Sequence, residues 1–74
     1  MLKEGTRIVK QNSEEGDGHQ DGAKGVITGR IELPEPIEVK GIITEGMYQV
    51  IWDDLPMIPV LVTDYRVKEE SPGS

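Results

Sequence analysis

The chain has 74 residues with no Cys and no Phe, one Trp and two Tyr, and eight basic against fourteen acidic residues for a net charge of −6. This composition excludes disulfide staples and thiolate metal sites and bounds the chain to one small domain. Its overall field opposes phosphate backbones and anionic lipid.

A domain this small hides only about 60% of its unfolded surface, so its core must be built efficiently from aliphatic residues and three aromatics. The first twenty residues contain no apolar run like a signal-peptide core, and no stretch is long enough to cross a bilayer. With zero Cys, the expectation is a cytoplasmic protein without membrane association. Nine Gly and five Pro predict many turns and short strands.

In chain order, Gly5 leads into a strand over residues 6–10, with Ile8 facing inward and Val9 outward. Residues 12–25 form the longest irregular piece, with Ala23 as its only aliphatic side chain and Gly at 16, 18, 22 and 25. They predict an exposed, mobile loop. A second strand covers 24–33, with Val26 and Thr28 on one face and Ile27, Gly29 and Ile31 on the other. Gly29 marks a bend or bulge, and Pro34-Glu35-Pro36 enforces an extended stretch outside the ladder. Residues 37–44 read as a further strand closed by a Glu45-Gly46 turn.

The densest apolar piece is 47–52, the central strand, in which Tyr48, Val50 and Trp52 form the inward set. Asp53-Asp54-Leu55-Pro56 is a turn, and 57–62 is a strand with Ile58, Val60 and Val62 on one face. Pro59 cannot donate to a ladder, which places that strand at an edge or at a bulge. Residues 63–66 predict a 3-10 turn, 67–69 a closing strand, and 71–74 a disordered tail after a single domain over 1–70. No window carries the apolar spacing of a helix. The fold class is all-β, a small barrel of five to six short strands.

The succession Gly5-Thr-Arg-Ile-Val, a long polar loop, Gly25-Val-Ile-Thr-Gly, Tyr48-Gln-Val-Ile-Trp-Asp-Asp and Val62-Thr-Asp-Tyr-Arg-Val resembles the SH3-like small barrels. That group includes KOW and Tudor modules, the ferredoxin-docking subunit of photosystem I and the MIB-type domain of ubiquitin ligases. The resemblance implies a barrel with a long first loop, a 3-10 turn before the last strand and binding through loops. A methyl-cation cage of the Tudor kind needs several clustered aromatics, and here only Tyr48, Trp52 and Tyr65 exist. Residues 31–45 are a longer insert than a minimal barrel needs.

For chemistry, Glu15, Asp17, His19 and Asp21 alternate in the first loop, but one His on Gly-rich chain is a poor metal site and the spacing is not that of an EF-hand. The reading is a solvated loop with no metal and no cofactor. Asp53-Asp54 fits turn chemistry better than a catalytic pair. With no Cys, loop or tail serines and His19 lacking an orienting partner, no catalytic residues are expected and the protein reads as a non-enzyme. The loop glycines match no phosphate cradle.

The functional expectation is a protein-interaction or accessory-subunit module. Its partner site would be an apolar lip of Leu55, Pro56, Met57 and Pro59 beside Trp52 and Tyr65, suited to strand addition or a weak homodimer, and otherwise monomeric. The alternative is an RNA- or DNA-binding barrel using Arg7, Lys24 and Arg30, with Lys10 beside them and Tyr65-Arg66 for stacking.

Overall fold

Two long strands dominate the computed structural model, which describes residues 2–70. These are β2 (Lys24–Val39) and β3 (Ile42–Trp52), an antiparallel hairpin. β1 (Arg7–Lys10) pairs with β2, β4 (Pro59–Thr63) with β3, and β5 (Val67–Glu69) with β1. A 3-10 turn, η1 (Asp64–Arg66), precedes β5. The protein is therefore all-β, one antiparallel sheet in the order β4-β3-β2-β1-β5. The predicted tail at 71–74 lies outside the described residues.

The expected separate strand at 37–44 does not form. Residues 37–39 end β2 and 42–44 begin β3, around a turn at Lys40-Gly41 with φ of 52° and 81°. Positive φ at both central residues gives a hairpin turn whose twist matches the strands. The expected Glu45-Gly46 turn is thus also corrected, since both residues lie inside β3. Gly46 is glycine for a different reason: a Cβ there would stand 2.6 Å from the Arg30 guanidinium and from the Ile31 carbonyl oxygen. The strands are accordingly fewer and longer than expected.

The Pro34-Glu35-Pro36 segment does stand outside the ladder, because pairing jumps from Glu32↔Gly46 to Ile37↔Thr44. A second irregularity falls between Ile27 and Gly29, where Ile27 pairs with Val50 but Gly29 pairs with Gln49. The bulge at Gly29 was expected, but its consequence was not. An extra residue reverses the alternation of side chains, so Ile31 turns outward and Arg30 lies opposite Tyr48.

Even-numbered residues of β3 build the core. Tyr48, Val50 and Trp52 are buried with Ile8, Ile27, Val62 and Val67, and Leu2, Ala23 and Val60 pack against them. Each large apolar side chain so buried contributes about 1.5–3 kcal/mol. Gly25 pairs with Trp52, and a Cβ there would lie 3.1 Å from the indole Cε3 and 2.7 Å from the Ile51 carbonyl oxygen. The bare backbone of β2 makes room for the ring.

η1 also dictates the shape of the sheet. β4 and β5 are its two edges, which in a flat sheet of five strands would be about 19 Å apart. The three residues of η1 join them, and a 3-10 segment advances only about 2 Å per residue. The sheet must therefore curl so that its edges approach each other.

Candidate functional site

The first loop closes over the mouth of this curled sheet, and it is tied down at almost every polar position. Lys10, at the end of β1, is a strand residue whose side chain is only 3% exposed. Its Nζ donates to Ser13 Oγ (3.0 Å) and to Asp17 (3.1 Å). A buried ammonium is tolerated only with such partners. Asp17 also accepts from the Glu14 backbone N–H (2.9 Å) and from Arg66 of η1. Those bonds hold the Asp17 carboxyl below its ordinary pKa, the Glu14 N–H first and Lys10 next. Glu14 binds Lys40 (2.9 Å) at the hairpin tip and is lowered by it. Gln20 donates to the carbonyl oxygens of Glu14 and Asp17, and Asp21 accepts from the Ser13 N–H. Gln11 and Asn12 donate to the Tyr65 carbonyl oxygen.

The loop keeps the exposed positions expected of it, at Asn12, Glu15, Gln20 and Asp21 and at Gly16, Gly18 and Gly22, but it is bonded to β1, η1 and the hairpin tip in ways its composition does not announce. A correction is needed at His19. Its ring stacks on Trp52 with centroids 4.6 Å apart and planes 19° from parallel, and its Nε2 lies 2.7 Å from Asp54 Oδ1. His19 therefore has an orienting partner. Asp54 and Asp53 point apart, as adjacent turn residues do, but both carboxylates serve distant elements rather than their own backbone. Asp53 takes Arg7 in a bidentate pair (2.8 and 2.6 Å) that lowers its pKa and raises that of Arg7. Among the described residues, no three His or carboxylate side chains converge as a metal site would need.

The residues proposed for partner binding separate into two groups. Trp52 is 1% exposed and covered by His19, so it belongs to the core and cannot present its ring to a partner. Tyr65 is half-buried, with the Arg66 guanidinium 5.2 Å over its ring. Leu55, Pro56, Met57 and Pro59 stay exposed, Met57 at 87%, and Ile58 and Leu61 join them. Leu61 stands opposite Gln49 on the outward face, where Ile31 and Met47 form the neighbouring pair. The lip thus continues onto the sheet.

The residues proposed for nucleic acid each hold an acidic partner of this same chain. Arg7 holds Asp53, and Lys24 holds Glu70 (2.8 Å). Arg30 lies 4.7 Å over the Tyr48 ring and binds Glu32 and Asp64, which raises its pKa through the Asp64 bond first. Arg30 thereby pins η1 to β2. Apart from Arg30–Glu32, two residues apart on one strand, no local pattern announces these pairs, which span 34 to 46 positions of sequence.

A cleft of about 320 Å³ remains between the loop and β4, lined by Asp17, Gly18 and His19 on one side and by residues 60–63 on the other. Residues 60–63 of the edge strand β4 thus line the cleft together with the first loop. Comparison with protein-family models, with curated proteins and with solved structures finds no match to this chain.

Proposed function

We propose that this chain is a non-enzymatic protein-interaction module, an SH3-like barrel that docks another protein through the apolar lip at Leu55–Leu61. The strand order, the long loop between β1 and β2 and the 3-10 turn before β5 support the barrel reading. The observation that carries the functional reading is the continuous exposed set of Leu55, Met57, Ile58 and Leu61. A single exposed Leu needs no explanation, but a contiguous apolar strip on so small a domain marks a contact surface. Its setting in a chain of net charge −6 favours a partner with basic groups around an apolar patch, because complementary charge speeds association and fixes register. The ion pairs of Arg7, Lys24 and Arg30 favour this reading over nucleic acid, since each phosphate contact would first have to break one of them.

The test is a photo-crosslinking amino acid placed in turn at positions 57, 61 and 68. Positions 57 and 61 are expected to trap one discrete protein from extract of the source cells, and position 68, on β5, is expected to trap none. The same diffuse products from all three positions would refute the reading.

A further inference from the structure

We propose that the far end of the β2–β3 hairpin takes up an extended segment of another protein, one in which aliphatic residues alternate with lysine or arginine. Pairing of β1 with β2 stops at Ile27, and pairing of β4 with β3 stops at Met47. Beyond those points the two strands bond only to each other. Among the described residues, no backbone hydrogen bond joins 28–45 to any other element. A two-stranded ribbon with both edges open is marginal alone and is a template for a further strand. Pro34 and Pro36 interrupt the free edge of β2, so the added segment pairs along 42–45 of β3.

The side chains there name the occupant. Ile43 is 68% exposed, with Glu38 directly opposite and Glu45 two positions along on the same face. Ile37 and Ile42 lie exposed on the other face, beside Thr44. An added strand meets both faces at once, through alternate side chains, whereas a helix laid on the ribbon would cover one face only. Glu35, Glu38 and Glu45 are exposed and, among the described residues, hold no ion pair. The two cations at this end are already taken, Arg30 by Glu32 and Asp64 and Lys40 by Glu14. Unspent negative charge therefore surrounds exposed isoleucine, and a basic segment complements it. A second copy of the chain would set these glutamates against their own kind. The site is independent of the lip, because Glu38 and Glu45 stand at the opposite end of β3 from the turn that carries Leu55 and Met57.

The experiment adds three short peptides to the full chain and follows backbone amide hydrogen exchange. One alternates lysine with valine, one alternates glutamate with valine, and one has the charge of the first but is interrupted by proline. The lysine–valine peptide is expected to slow exchange saturably over 42–45 and to leave 57–61 unchanged. The other two are expected to protect neither. Ile43→Lys and Glu45→Lys, both at exposed positions, are expected to weaken binding on the order of tenfold each, with an unchanged circular dichroism spectrum. Equal protection by the proline-interrupted peptide would reduce the effect to charge attraction and overturn the proposal. No protection by the lysine–valine peptide overturns it, as does wild-type binding by both variants. Protection over 42–45 that grows with the concentration of the chain alone would make the occupant a second copy, and the proposal would again be wrong.

Discussion

His19 shows how one side chain changes the meaning of its neighbours. A lone His in a Gly-rich loop carries no sequence signal of burial, yet here it seals the indole of Trp52 and reaches Asp54 on the turn after β3. A stacked pair of this kind is worth about 0.5–1.5 kcal/mol beyond its buried area. His19→Ala should therefore lower stability by about 1 kcal/mol and move the indole emission toward that of a solvated ring. Emission and denaturation midpoint both equal to wild type would show that the stack does nothing. The core residues themselves were legible, because Tyr48, Val50 and Trp52 outweigh in volume Met47, Gln49 and Ile51 on the other face of the strand. The burial of Lys10 was not, because a charged residue at an inward position announces nothing about the Asp17 that neutralises it.

At the scale of elements, β1, η1 and β5 follow from their residues to within one position, and Pro59 lies on an edge strand. The strand expected at 57–62 instead begins at Pro59, with Met57 in the preceding turn and Ile58 exposed rather than aligned with Val60 and Val62. The long hairpin was misread because Glu45-Gly46 is the more familiar turn signal than Lys40-Gly41. The strained residue is Lys40, whose φ of 52° is unusual for a side chain of its size. Holding a residue in that conformation costs about 1–2 kcal/mol, and Asn tolerates it far better. Lys40→Asn also loses the exposed pair with Glu14, worth about 0–1 kcal/mol. Relief of strain outweighs that loss, so the variant should be more stable by about 0.5–1 kcal/mol in chemical denaturation. A drop in stability would mean that the Glu14 pair, and with it the loop, governs the tip.

For the whole molecule, an acidic chain keeps its shape by pairing most of its few cations internally. Glu14, Asp17, Asp21, Asp53 and Glu70 all hold pKa values below their ordinary ones, mainly through hydrogen bonds from Lys40, the Glu14 N–H, Ser13, Arg7 and Lys24 respectively. A carboxyl whose folded pKa is depressed contributes stability that is complete above its unfolded pKa and is lost as pH falls through the folded one. The thermal midpoint should accordingly be level from neutral pH down to about 5 and fall below about 4. A midpoint that rises on acidification would show that the net charge of −6, and not the pairing, dominates.

The same internal pairing leaves exposed apolar side chains as the surface with unmet contacts, at the lip and at the hairpin end where Ile37, Ile42 and Ile43 are exposed. That the lip is a docking surface is the account's central claim. Its most direct measurement is amide hydrogen exchange of the chain with and without the protein trapped at position 57. Slowed exchange confined to residues 55–63 is the predicted result. Protection that falls instead on β1 and residues 24–33, around Arg7, Lys24 and Arg30, would contradict it.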